Sequence, residues 1–229
     1  MLTARQLNPT RSKPKASAVS VPAPIGGLNT RDALDAMPPT DAIQLDNWFP
    51  ATGKCEVRDG YVEHSGGMGS GNVETLVEYH AGATRKLIAA ANNNLYDATS
   101  STASSIGSGF TNNRWQTANF NGKIHLVNGD DAPQLWDGTT LSEPAWTGSG
   151  LTKANLIGVN VFKNRLFFWE GDSQDFWYGA INAEAGTLTK FPLSRVSQFG
   201  GNLLAVETWT LDGGSGVDDL IVFIMTSGI

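Results

Sequence analysis

The residues that could do chemistry are few and scattered. Acidic turns follow apolar runs at Asn128-Gly129-Asp130-Asp131 and at Glu170-Gly171-Asp172. Two carboxylates on neighbouring loops are the apparatus of glycoside hydrolysis. Acids at hairpin tips, however, need no catalysis to explain them. Asp212-Gly213-Gly214-Ser215-Gly216-Val217-Asp218-Asp219 offers oxygen ligands of the kind calcium takes. It lacks the regular ligand spacing and the closing Glu of an EF-hand loop, so a glycine-rich hairpin tip is the better reading. His64, His80 and His125 are far apart, with no Cys or carboxylate at ligand spacing, and no metal site is expected. There is no phosphate-binding loop, no paired-histidine metalloprotease motif and no nucleophile elbow. The sequence therefore predicts no catalytic residues, no cofactor and no enzyme activity.

Seven tryptophans could stack on sugars or bases. Their spacing points first to architecture. From Val73 onward a basic residue followed by an apolar run occurs three times, at Lys86-Leu87-Ile88, Lys123-Ile124-His125-Leu126-Val127 and Arg165-Leu166-Phe167-Phe168. Strands are predicted before each run, at Val73–Tyr79, Trp115–Phe120 and Leu156–Phe162. Each run is followed by an aromatic strand end: Asn94-Leu95-Tyr96-Asp97, Gln134-Leu135-Trp136-Asp137-Gly138 and Asp175-Phe176-Trp177-Tyr178-Gly179. Tyr96, Trp136 and Trp177 thus recur at intervals of 40 and 41 residues. Weaker fourth strands fall near Thr139–Ser142 and Leu188–Phe191. Four short strands in ~40 residues, closed by an aromatic, are the signature of a β-propeller blade. A β-sandwich is the alternative, but it gives no reason for the constant aromatic spacing. Leu203–Leu211 and Leu220–Met225 read as the first two strands of another blade. Three and a half blades fall short of the ~4–8 of a closed ring, so further polypeptide, continuous with this chain or separate, is expected to complete the sheet.

Upstream of the repeats the organisation changes. Residues 1–24 contain Pro9, Pro14, Pro22 and Pro24 among Ser, Thr and Lys, which sustain neither helix nor central strand. Residues 1–31 carry Arg5, Arg11, Lys13, Lys15 and Arg31 and no acid, a charge of +5, within a chain whose net charge is −6. An extended basic arm therefore precedes an acidic body, and the arm is expected to order on a partner. Residues 25–63 read as a connector. Pro38-Pro39 and Pro50 bracket a short helix predicted over Asp41–Trp48, with Thr40 as its cap and Trp48 and Phe49 among its apolar anchors. Lys54–Glu63 is predicted as a strand broken at Asp59-Gly60. Residues 64–229 form the β body.

Composition narrows the class. Charged residues are 17% of 229 and glycines number 26, against about 25% charged and ~7% glycine in average chains. That suits many hairpins, or a subunit that hides surface in an assembly. No apolar run reaches the ~18 residues of a membrane span, and Met1–Ser20 lacks the apolar block of a secretory signal. The single Cys55 excludes an internal disulfide framework, consistent with synthesis in a reducing cytosol.

One segment also resembles a known family. It comprises Gly26-Gly27-Leu28-Asn29-Thr30-Arg31, Pro38-Pro39-Thr40-Asp41-Ala42, Leu45-Asp46-Asn47-Trp48-Phe49-Pro50, Gly53 and Arg58-Asp59-Gly60-Tyr61. Together these resemble the start of the tail nozzle proteins of short-tailed bacteriophages and of the related DNA-stabilising tail tube proteins. Asp219-Leu220-Ile221-Val222-Phe223 with Thr226-Ser227-Gly228 is similar to a blade strand of that family. The resemblance covers about a third of the chain. It implies a structural protein of the virion tail, made in the host cytoplasm, with a propeller in each subunit. The subunits, usually six, would form a ring below the tail adaptor around a channel for genomic DNA. In such a protein Gly26, Gly27, Asn29, Asn47, Arg58 and Gly60 would be turn and anchor residues. Arg5, Arg11, Lys13, Lys15, Trp48 and Phe49 would meet neighbours, and Tyr96, Trp136 and Trp177 would pack the blades. An acidic body suits a channel through which phosphates must slide without sticking. The chain is shorter than nozzle proteins normally are, and the ring-closing and plug elements would lie further on. A carbohydrate-binding or glycoside-cleaving propeller acting on a host receptor is the alternative function.

Overall fold

A computed structural model describes residues 17–210 and 219–227. The chain divides into two compact units, Met1–Val62 and Glu63–Ile229. Nearly all the regular structure is β, arranged as several small sheets, and no closed barrel or propeller ring forms among the described residues.

In the first unit, β1 (Gly27–Leu28) pairs in parallel with β2 (Asp41–Ala42). Strand β3 (Trp48–Ala51) pairs antiparallel with β4 (Lys54–Val57). The helix expected over Asp41–Trp48 does not form. Eight residues give little more than two turns, too few to offset the cost of helix nucleation, and the ends of the segment are taken by longer-range pairing. The Asp41 carboxylate, instead of facing a helix N-terminus, accepts a 2.8 Å hydrogen bond from Asn29, and Asn47 turns the chain with φ +60°. The strand expected over Lys54–Glu63 stops at Val57. Residues 17–24 form neither strand nor helix, whereas residues 1–16 lie outside the described residues.

The second unit contains three four-stranded antiparallel sheets. The first is β5 (Val73–Ala81), β6 (Thr84–Ala91), β7 (Asn94–Asp97) and β8 (Ser104–Ser108), in that order. The second is β9 (Gln116–Phe120), β10 (Lys123–Val127), β11 (Gln134–Trp136) and β12 (Leu141–Ser142). A short β13 (Trp146–Thr147) leads on to β14 (Leu156–Phe162), β15 (Arg165–Glu170) and β16 (Asp175–Tyr178). Strand β17 (Gly186–Thr187) returns to pair in parallel with β13, and β18 (Thr189–Pro192) completes the third sheet beside β16. A two-stranded sheet of β19 (Leu203–Thr210) and β20 (Asp219–Met225) follows. The second strands arise from tight hairpins. Asn121 and Gly122, at φ +51° and +74°, and Lys163 and Asn164, at +45° and +57°, give two-residue loops of the type I′ kind whose twist matches antiparallel strands.

Side-chain alternation explains how the sheets pack. Ile124 and Leu126 of β10 point into a cluster with Tyr79, Ile88, Leu95 and Trp136. Val127, from the opposite face, joins a cluster with Leu166, Phe168 and Trp177. Strand β15 repeats this: Leu166 and Phe168 face back, whereas Trp169 faces forward onto Leu203, Val206 and Met225. Each successive sheet is thus buried against the next, and β10 and β15 are apolar on both faces, like strands inside a stack rather than on a half-wet sheet. Polar groups also cross between sheets. The Tyr79 hydroxyl lies 2.9 Å from the Gly122 carbonyl oxygen and 2.8 Å from that of Asp137. Asn160 Nδ2 donates to the Val206 carbonyl at 2.8 Å.

Candidate assembly surface and the structural anchors

The glycine-rich turn of the first unit is built around Asn29. Its amide donates to Asp32 at 3.0 Å and to Asp41 at 2.8 Å, while its carbonyl oxygen accepts the backbone N–H groups of Arg31 and Asp32. A Cβ on Gly26 would sit 2.0 Å from the Asp41 carboxylate, and Gly27 adopts φ +90°, so both positions favour glycine. Asn47 closes the next turn, its carbonyl accepting the Arg58 N–H at 2.7 Å. Gly60 has no such requirement, because a Cβ there meets nothing within 4 Å.

This framework holds out the β3–β4 hairpin. Adjacent strand residues face opposite sides, yet Trp48 and Phe49 are 46% and 59% exposed, and Val57, paired with Trp48, is exposed too. Tyr61 and Val62, further along the chain, are exposed as well. A two-stranded hairpin is marginal by itself, and apolar side chains on both faces gain most when another surface covers them. The helical face anticipated for Trp48 and Phe49 is therefore a strand presentation, with the same residues exposed. Arg5, Arg11, Lys13 and Lys15 lie outside the described residues.

Tyr96, Trp136 and Trp177 are all buried and all lie on the third strand of a four-stranded sheet. Register refines their equivalence. Tyr96 pairs with Ala89 and Trp177 with Phe168, each three residues beyond the basic residue of the second strand. Trp136 pairs with Ile124, one residue beyond Lys123. Trp136 is thus displaced by two residues but stays on the corresponding face. Lysines cover two of the rings: Lys86 Nζ lies 5.0 Å from the Trp136 ring centroid, and Lys190 Nζ lies 5.4 Å from that of Trp177. Both lysines also pair with carboxylates, Lys86 with Asp97 at 3.1 Å and Lys190 with Asp175 at 2.5 Å.

The acidic turns hold their own loops. Asp131 accepts hydrogen bonds from the Thr111 N–H and hydroxyl, both at 2.8 Å, and from Asn128 at 2.6 Å. Partial burial opposes its ionisation, but these bonds outweigh it and hold the carboxyl below its ordinary range. That direction is opposite to the raised pKa of a general acid. Asp130 accepts from Asn112 at 2.5 Å, and Asp172 from Asn202 at 3.4 Å. Among the described residues no group of three or more His, Cys, Asp or Glu could hold a metal ion, and no helix is long and apolar enough to cross a membrane. Most of the Asp212–Asp219 loop lies outside the described residues.

The depth of one histidine was not legible in the sequence, which gave His125 only as a scattered histidine within a strand. His125 is 1% exposed, between Phe120 and Trp146, with ring centroids 6.3 Å from each. Among the described residues neither ring nitrogen has a hydrogen-bond partner. Burial depresses its pKa to about 4, with Glu184 pulling up and Lys123 pushing down. Its place in the apolar run Ile124-His125-Leu126-Val127 was the only available signal. Comparison of the chain with protein-family models matches none of them, and comparison with curated protein sequences likewise finds no match.

Proposed function

We propose that this chain is a structural subunit of a bacteriophage tail, a nozzle or tail-tube component that assembles as a ring below the adaptor and surrounds the path of genomic DNA. The observation that carries the proposal is the exposed β3–β4 hairpin, which presents Trp48 and Phe49 on a framework of Asn29, Asp41 and Asn47. Large aromatics of this kind dominate protein interfaces once buried. The same segment bears the resemblance to tail nozzle proteins. Three similar sheets packed in succession support reading the second unit as blades of a propeller. Six copies are the expected ring, and the acidic body favours DNA passage without sequence-specific binding. In this reading the chain has no catalytic role and is incorporated into the virion after synthesis in the host cytoplasm. Electron microscopy of the purified protein is the test. Rings with a central opening are expected, and a monodisperse monomer at all concentrations would refute the proposal.

A further inference from the structure

The sequence contains two Asn-Gly pairs, Asn121-Gly122 and Asn128-Gly129, and the fold treats them differently. An asparagine followed by glycine can lose its side-chain amide when the next backbone nitrogen attacks it, since glycine has no Cβ to hinder the approach. At Asn128 every participant is tied down. The side chain is 9% exposed, its carbonyl oxygen accepts the N–H groups of Asp130 and Asp131, and its amide donates to Asp131. The nitrogen that would attack, that of Gly129, donates to the Leu156 carbonyl at 2.9 Å. Asn121 and Gly122 instead form the exposed tip of the β9–β10 hairpin, at φ +51° and +74°. The Asn121 amide makes one long bond, 3.3 Å, to the Asn182 carbonyl, and among the described residues the Gly122 N–H has no acceptor.

We propose that Asn121 is a site of spontaneous deamidation, and that its conversion loosens the joint between the first and second sheets of the second unit. The Gly122 nitrogen bonds to Cγ of Asn121, the Cγ–Nδ2 bond breaks, and the side-chain nitrogen leaves as ammonia with the former Gly122 amide proton. Water then opens the cyclic imide. Cleavage at Cγ gives aspartate, whereas cleavage at the main-chain carbonyl carbon gives isoaspartate, and neither route needs an oxidant or a reductant. The attack requires the tip to leave its left-handed turn for a moment. That tip is closed by the terminal pair Phe120 and Lys123, and hairpin ends are where local opening costs least. The products cannot keep the contacts of the tip. A carboxylate in place of the amide no longer donates to Asn182, and it adds negative charge two residues from Lys123, which pairs with Glu184. Isoaspartate also lengthens the main chain of a two-residue loop whose twist must match its strands. The Gly122 carbonyl, which accepts the Tyr79 hydroxyl of β5 at 2.9 Å, is displaced as a result.

The test ages the full chain at mildly alkaline pH and follows both Asn-Gly peptides by mass spectrometry, with isoaspartate identified by its fragmentation. In the folded protein the Asn121 peptide should convert about tenfold faster than the Asn128 peptide, whereas in urea the two should convert at similar rates. Amides of Val77–Ala81 and of Phe120 should exchange about fivefold faster in the aged, more acidic fraction than in fresh protein, the effect of losing one hydrogen bond between sheets. Asn121→Gly keeps a turn-forming pair but has no amide to lose, so ageing should leave its exchange unchanged. Asn121 intact in the folded protein after the urea sample has converted, or Asn128 converting as fast as Asn121 in the folded protein, would overturn the site. Conversion at Asn121 with unchanged exchange would overturn the loosening of the joint.

Discussion

The β3–β4 hairpin and the β15–β16 pair are both short antiparallel ladders rich in aromatics, and they treat those aromatics in opposite ways. On β16, Trp177 is wholly buried against Phe168, Leu166 and Val127, because a second sheet lies on that face. On β3, Trp48 is about half exposed, because no sheet of its own unit covers it. Residue type and strand propensity are similar, so what differs is the presence of a layer opposite. A strand aromatic in a repeated, stacked unit contributes to folding, whereas one on an isolated hairpin stays exposed.

Substitutions can break this contrast, and the largest effect on stability belongs to the stack. Trp177→Ala removes a buried ring with only partial collapse around it and should destabilise the second unit by about 3–5 kcal/mol, read from urea unfolding followed by circular dichroism. A loss below about 1 kcal/mol would mean that the sheets do not depend on that packing.

Acid should act on the same stack through His125. Its folded pKa, about 4, lies below the ordinary 6.5, so the unfolded chain takes up the proton first. Stability from this residue is full above about pH 6.5 and falls as the pH drops from there toward 4, by up to about 3 kcal/mol. His125→Phe fills the same apolar site without a titrating group and should flatten that limb of the stability–pH curve. An unchanged slope would assign the acid sensitivity elsewhere. Smaller still is Asp131→Asn, which keeps the shape but loses the charge-assisted bonds to Thr111 and Asn128. About 1 kcal/mol is expected, and below the ordinary carboxylate range the difference from wild type should shrink, because the native carboxyl is then protonated too. Thermal melts of both proteins at neutral and acid pH would check this.

What could be read from the sequence follows the same division. The three basic-plus-apolar runs, the strands before them and the spacing of Tyr96 and Trp177 mark real, corresponding places, because period-two alternation and buried aromatics are local signals of a layered sheet. The two-residue offset of Trp136 was hidden, since register depends on turn lengths on both sides of a strand. The connector was misread for a related reason. Thr40-Asp41 has the composition of a helix cap, but Asn29, twelve residues away, captures the Asp41 carboxylate, and propensity gave way to that longer-range bond. Trp48 and Phe49 were expected as apolar anchors on a helix; they are exposed on a strand instead.

The smallest stability effect should accompany the largest effect on assembly. Trp48→Ala and Phe49→Ala remove partly exposed side chains and should change unfolding free energy by no more than about 0.5 kcal/mol each, since neither supports a packed sheet. Co-sedimentation of the Trp48→Ala, Phe49→Ala double variant with tails or rings, compared with wild type and paired with circular dichroism, tests the central claim most directly. The expected result is a β spectrum like that of wild type together with loss of the protein from the sedimenting oligomer. Incorporation at the wild-type level by the folded variant would contradict it.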